Sequence, residues 1–277
     1  DAGFIERSRA SIVKANFGNE FEAVFSNDSD GFFKRSLIES CVPTIENQIS
    51  LPSGKVSFPP VTQGNPGCKY VIAIDPASEK DNFAIIILEL RGDHRRIVYC
   101  WTTNRKRHNI DIKNGLTKEN NYYAYAASKI RLLMKLFPCE KIIIDSQGGG
   151  YSVAGALSDL DKLGPGQLPV WPEIDLSDPK DTDQKEGLHL IRFAMFSDLN
   201  WLSGAFHDLR FDMESKTTVF PYFDYLSIGL AELSDDKLRE SGGFYDSIED
   251  VVMEIEELKN ELTSIVQSKT PTGKDHF

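Results

Sequence analysis

Apolar positions along the chain fall into two rhythms. Between Lys69 and Thr102, three β-branched runs, KYVIAID (69–75), FAIIILEL (83–90) and HRRIVYCWT (94–102), are separated by the turn-like PASEKDN and by Arg91-Gly92-Asp93. Short runs of this kind with short polar connections predict an antiparallel three-strand meander. From Thr117 to Phe137 the spacing becomes helical, with Tyr122, Tyr125, Ala126, Ile130, Leu133, Met134 and Phe137 along one side and Pro138 ending it. KIIID (141–145) is short and wholly apolar up to its Asp, as in a parallel strand covered on both faces. After Gly148-Gly149-Gly150 the pattern predicts a helix over about 151–160, an acidic loop over 173–186 and a helix around 187–200, which would hold His189. A last long helix starts at Ser247, with Asp250 three residues on in a capping-box-like position. Ile248, Val251, Val252, Ile255, Leu258, Leu262 and Ile265 form its apolar face, and acids the other.

The flanks are less regular. Residues 1–42 read as helical or irregular, with Phe17, Phe21, Phe25, Phe32 and Phe33 needing a surface to pack on. Residues 43–67 are dense in Pro, Gly and Ser and read as an extended connector or arm. Residues 103–116 form a polar stretch, read as a loop. The order β-β-β-α-β lets the fourth strand lie parallel to the first through a helical crossover. The expected fold is therefore a mixed α/β sheet, an antiparallel meander plus parallel strands, flanked by helices.

Composition narrows the class. With 40% hydrophobic and 26% charged residues, the 277-residue chain has a globular make-up and enough length for a proper core. No apolar run approaches the roughly 20 residues of a bilayer span. The four cysteines stand apart without a CxxC, which argues against a disulfide framework or a zinc knuckle and suits a reducing setting. The formal net charge of −11 is uneven: residues 1–138 carry 19 basic and 15 acidic side chains, residues 139–277 carry 12 and 27. An acidic balance weighs against a nucleic-acid partner unless a local basic loop or a metal-loaded acidic site holds it.

Asp75 and Asp145 both close their strands at the C-terminal end. If those strands are neighbours, the two carboxylates repel unless a proton or cation lies between them. An all-oxygen pair suits Mg²⁺ or Mn²⁺, and two such ions can clamp both oxygens of a phosphoryl transfer. A strand-end Asp is by itself commonly a turn former, and Asp81 reads more simply as a turn residue before Asn82. Gly148-Gly149-Gly150 permits a sharp strand-to-helix turn and close approach of a phosphate, so Gly149 is a candidate DNA contact. Arg105-Lys106-Arg107-His108 is the densest basic cluster and reads as a loop of solvated or phosphate-contacting side chains. No GxxxxGK[ST] is present, and Gly150-Tyr151-Ser152-Val153-Ala154-Gly155 misses GxSxG by one residue, which argues against a P-loop and a nucleophile elbow. The five histidines show no paired spacing, and His189 and His207 read as ordinary helix residues.

VIAIDPASEKDNFAI, ENNYYAYAASKIRLLMKLF and IIIDSQGGGYSVAGAL together resemble the nuclease domain of phage terminase large subunits. So do FEAVFSNDSDGFFKRSLIESC and IEDVVMEIEELKNELTSI…TPTGKDHF at either side, and the ordered set is more specific than any one piece. The resemblance implies an RNase H-like domain over 68–277, preceded by an N-terminal segment and connector, 1–67, that would follow an absent P-loop ATPase domain. It implies an endonuclease that cuts concatemeric double-stranded DNA during genome packaging, with little sequence preference and 5′-phosphate products. Asp75 matches the family's first metal-binding acid and Asp145 its second; the third, near the C-terminus, has only Asp275 as a local candidate. Implied partners are double-stranded DNA, a portal protein, the small terminase subunit and the missing ATPase domain, in the cytoplasm of an infected bacterium and transiently at the procapsid portal, with no membrane role. Two other readings are an acidic docking module of the packaging motor with weak or latent nuclease activity, and an actin-like phosphotransferase. The last lacks the glycines and Thr it needs after Asp75, where Pro76-Ala77-Ser78-Glu79 stands.

Overall fold

The computed structural model describes residues 31–51, 54–77, 81–174, 185–224, 246–269 and 275–277. Phe17, Phe21, Phe25 and most of the acidic 173–186 loop lie outside the described residues.

The meander forms as the pattern predicts: β1 (Lys69–Asp75), β2 (Phe83–Arg91) and β3 (His94–Thr103) pair antiparallel in sequence. The helix α3 (Tyr122–Leu136) starts where the Asn121 side chain accepts from the backbone N–H groups of Tyr123 and Ala124. That cap satisfies two of the helix's first free donors. β4 (Cys139–Asp145) follows and pairs parallel with β1, Ile72 opposite Ile142 and Ile74 opposite Ile144. Tyr70 and Tyr99 stack against Phe137 at 5.3 and 5.6 Å, locking the end of α3 onto the sheet. Burial of Ile72, Ile74, Ile85, Ile87, Ile142 and Ile144 supplies the main driving force of the sheet.

Sheet order is β5-β6-β4-β1-β2-β3-β7, where β5 is Val170–Pro172, β6 is Leu188–Ala194 and β7 is Thr218–Val219. The central run β6-β4-β1-β2-β3 is the mixed RNase H-like arrangement, flanked by α3, α4 (Gly150–Ser158), α5 (Leu199–Glu214) and α6 (Ile248–Ser264). The cap of α6 is the expected capping box of Ser247 and Asp250. Its buried residues include Ile248, Val251, Val252, Ile255 and Leu262 from the expected apolar face.

Two expectations fail. The segment around 187–200 is not a helix: Leu188–Ala194 is the strand β6, so His189 is a strand residue, and α5 begins only at Leu199. A seven-residue apolar run cannot be divided between strand and helix by periodicity alone. The boundary is set by Asp198, whose side chain caps Asn200 and Trp201. Likewise the polar stretch after β3 contains the helix α2 (Arg105–Lys113), capped by Asn104. It carries no hydrophobic pattern because its buried residues are His108 and Asp111. His108 packs on Tyr125 at 4.4 Å, and the Tyr125 hydroxyl donates to Asp111 at 2.9 Å.

The N-terminal part of the described chain joins the same core. Phe33, Ile38 and Cys41, around the short α1 (Arg35–Glu39), are fully buried. Within 43–67 the described residues form no helix or strand, yet Ile49, Leu51 and Phe58 are buried and the Val61 N–H donates to the Val98 carbonyl.

One ion pair fastens α3 to the start of α6. Lys129 is 1% exposed, and its Nζ lies 2.5 Å from the Asp246 carboxylate. The Tyr99 hydroxyl donates to the same carboxylate. Asp246→Ala strands a buried cation and should cost about 3 kcal/mol in urea unfolding, whereas the double change Lys129→Met, Asp246→Leu should recover most of it.

Candidate active site

The site grows out of strand pairing. β1 and β4 are neighbours and run parallel, so their last residues, Asp75 and Asp145, emerge side by side at the same edge. Asp145 in turn pairs with Ala194 of β6. Neither Asp is held by a cation in the described structure; Asp145 accepts only locally, from the Gln147 N–H at 3.2 Å. The Asp75 side chain reaches solvent, but its carboxyl is still pushed above the usual carboxylate range. Lost hydration is the first cause, the Asp145 charge the second and the Asp81 charge the third. Asp81, expected to be a simple turn residue, therefore also contributes negative potential to the site.

The glycine turn is what allows this closeness. Gly148 has φ +61°, and a Cβ there would stand 2.7 Å from the Pro76 carbonyl oxygen. Gly150 packs so tightly under the strand end that a Cβ would collide with the Asp145 carbonyl. The chain leaving β1 and the chain leaving β4 thus touch backbone to backbone, a contact only glycine permits. The Tyr123 hydroxyl donates to the Gly148 carbonyl at 3.1 Å, tying the turn to α3.

Arg105, Lys106 and Arg107 occupy the first turn of α2 instead of a loop. Positive charge at a helix N-terminus opposes the helix dipole, a cost that Arg107 offsets in part by pairing with Asp111 one turn on at 3.6 Å. The Arg105 guanidinium lies 5.0 Å from the Tyr122 ring and 5.8 Å from that of Tyr123. Through Tyr123 the basic turn is linked directly to the glycine turn and Gly149.

Asp275 lies elsewhere in the bonding network. It sits in a two-residue strand paired with Ser268–Lys269, and its carboxylate meets Lys269 and, at 3.1 Å, the Nε2 of His207. Hydrogen bonds from Lys269 and His207 pull it down to about 2. His207 is thus a helix residue as expected, with a specific partner.

An acid that the pattern did not single out approaches Asp75 from α6. Asp75, Ala84 and Thr102 are directly paired across three strands and share one face. On that face Glu254 of α6 accepts from the Thr102 hydroxyl at 3.0 Å. Glu261, two turns on, has its carboxyl raised by lost hydration first, then by Glu257, Glu254 and Asp75. The available sequence signal was the 254-257-261 spacing of acids on one helix face. Among the described residues no group of three or more His, Cys, Asp or Glu side chains is arranged to hold a metal ion by itself.

The arrangement defines an RNase H-like domain with paired carboxylates at the ends of its two central parallel strands. No protein-family model and no curated protein matches the sequence. Among solved structures, the chain is similar to the large terminase nuclease of the thermophilic phage G20c, at 11% identity over 87% of each chain with a TM-score of 0.46. The magnesium-bound form of that nuclease is similar at 10% identity, 87% of this chain and 85% of that one, TM-score 0.46. The large terminase of bacteriophage HK97 is similar at 14% identity over 69% of this chain and 34% of that one, TM-score 0.39. At these identities the likeness is one of fold.

The raised Asp75 carboxyl has a thermal signature. The folded state holds this proton more tightly than the unfolded chain, so stability without metal is full at low pH and falls as the pH rises through the carboxylate range to the raised value. In EDTA, Asp75→Asn should melt above the parent at pH 7, and the gap should close below pH 3.8, the ordinary Asp value. Added Mg²⁺ should raise the melting temperature of the parent and leave the variant unchanged.

Proposed function

We propose that this chain is the nuclease part of a phage large terminase, a Mg²⁺- or Mn²⁺-dependent endonuclease that cuts concatemeric double-stranded DNA during packaging. The observation that carries the reading is the Asp75–Asp145 pair, two like charges closed against each other at adjacent parallel strand ends. A raised Asp75 carboxyl beside the Asp145 carboxylate is a pair of oxygen donors that fits a hard divalent cation. Mg²⁺ commonly keeps several waters and takes one or two protein carboxylates plus phosphate oxygens, which agrees with a site whose protein ligands are few.

Asp75 and Asp145 would hold the ions, with Asp275 the third acid that the sequence resemblance offers. The ions, when bound, would activate water and stabilise the leaving 3′ oxygen. The protein's own contribution is placement. Gly148 and Gly149 let a phosphate pass close to the strand ends, and Arg105, Lys106 and Arg107 contact the DNA backbone beside them. Contacts to phosphates carry no base information, so cutting through them is largely indifferent to sequence. The portal protein, the small terminase subunit and the ATPase domain of the same motor are the partners this role requires, in the host cytoplasm and at the procapsid portal.

Plasmid nicking and linearisation tests the reading. Mg²⁺ or Mn²⁺ should support cutting and EDTA abolish it, and Asp75→Ala and Asp145→Ala should each lower the rate by more than roughly a hundredfold. Parent-level cutting by Asp75→Ala would refute the site. Absence of cutting with either metal, together with salt-sensitive binding to a basic motor component, would favour the docking-module reading instead.

A further inference from the structure

The sheet edge that carries the acids also carries uncovered aromatic rings. Tyr151 is 68% exposed, Trp201 43% and Phe196 42%, and beside them Met195 and Leu199 are 58% and 45% exposed. Met195 and Phe196 follow directly on Ala194, the β6 residue paired with Asp145. Leu199 and Trp201 open α5, and Tyr151 opens α4 straight after the glycine turn. The segments leaving β4 and β6 therefore bring all these side chains to the edge that holds the carboxylates.

The rings are paired. Phe196 and Trp201 meet edge to face, with centroids 5.0 Å apart and planes at 74°. Tyr151 lies over Phe193 at 4.6 Å and 36°. In each pair a neighbouring ring fixes the orientation of an exposed one. Apolar surface left open to water beside a site marks a place for a partner, and flat rings held in place are the surfaces on which nucleobases stack.

We propose that Tyr151, Phe196 and Trp201 form a stacking platform for unpaired DNA bases next to the cutting site. This rests on the nuclease reading, which puts a phosphodiester at Asp75 and Asp145 and so leads the adjoining nucleotides past the ends of β4 and β6. A base inside a closed duplex has both faces covered by its neighbours. The platform therefore takes bases from frayed, nicked or single-stranded DNA, and it steers the nuclease to such places. Every base has a π-face, so this selects DNA structure without selecting sequence.

Fluorescence anisotropy in EDTA tests the platform, comparing a blunt duplex with the same duplex bearing a short single-stranded tail. The parent should bind the tailed duplex about tenfold more tightly. Phe196→Leu with Trp201→Leu keeps the surface apolar but not flat, and should lose that preference while binding the blunt duplex as the parent does. Phe196→Tyr with Trp201→Phe keeps the rings and should keep the preference. The platform is refuted if the parent shows no preference, if the Leu variant retains it, or if the Leu changes weaken both duplexes equally. A parent dimer that the Leu changes dissociate would also refute it, assigning the patch to a second copy of the chain. If Asp75-dependent plasmid cutting persists without any tail preference, only the platform fails; if the parent neither binds nor cuts DNA, the nuclease reading fails with it.

Discussion

Two negative charges held side by side form the constraint on which the rest of this molecule turns. Strand pairing places Asp75 and Asp145 at the ends of adjacent parallel strands, and no Lys or Arg is paired with either in the described structure. Such a pair costs stability, and the Asp75 carboxyl is raised first by lost hydration and then by the Asp145 charge. The surrounding sheet has to be strong enough to hold the charges together. It does so with a core of fully buried isoleucines on three strands, a well-capped crossover helix and aromatic rings that pin the end of that helix to the sheet. The glycine turn adds a second tether, because the chains leaving β1 and β4 are in contact just beyond the acids.

Much of this frame was legible in the sequence. The three-strand meander, α3, β4 and the capping box of α6 each carry a pattern with one period over their whole length, and local signals mark their ends. Element order allowed Asp75 to lie beside Asp145 on the condition that their strands are neighbours, and the parallel pairing of β1 with β4 meets that condition. What escaped was coded by polar burial or by tertiary pairing. α2 buries His108 and Asp111, so its inward face looks like loop. β6 becomes a strand because β4 offers an unpaired parallel edge, a fact that its own seven residues do not contain. Glu261 shows as one acid among many on the outer face of α6, and only the crossing of that helix over Thr102 gives it a relation to Asp75.

The charge distribution takes on meaning once the fold is known. The basic first turn of α2 stands at the same end of the sheet as the carboxylates, and Arg105 is tied through Tyr123 to the glycine turn. Cations are thus concentrated on one side of the site. Of the acids of residues 139–277, six lie on α6. A chain of net charge −11 can approach DNA if the phosphate backbone meets the basic turn first and the acidic pair is neutralised by cations. Under the proposed function, binding to DNA and loading of metal would reinforce each other, because each removes a repulsion that opposes the other.

That coupling bears on why few protein ligands among the described residues surround the strand-end pair. A cage of carboxylates dense enough to hold an ion tightly without substrate would carry still more uncompensated charge, and the sheet already bears a penalty for two. Under the proposed function, a sparse set would leave coordination positions for water and for phosphate oxygens, and ions would be held best with DNA present. Glu254 and Glu261 fit the same logic from above: α6 adds negative potential over the face that carries Asp75, which draws cations in. Asp275, tied to Lys269 and His207, is already neutralised by its neighbours and adds little to that potential. Among the described residues, Asp75, Asp145, Asp81 and the acids of α6 contribute to a negative field at the strand ends, which favours a cation.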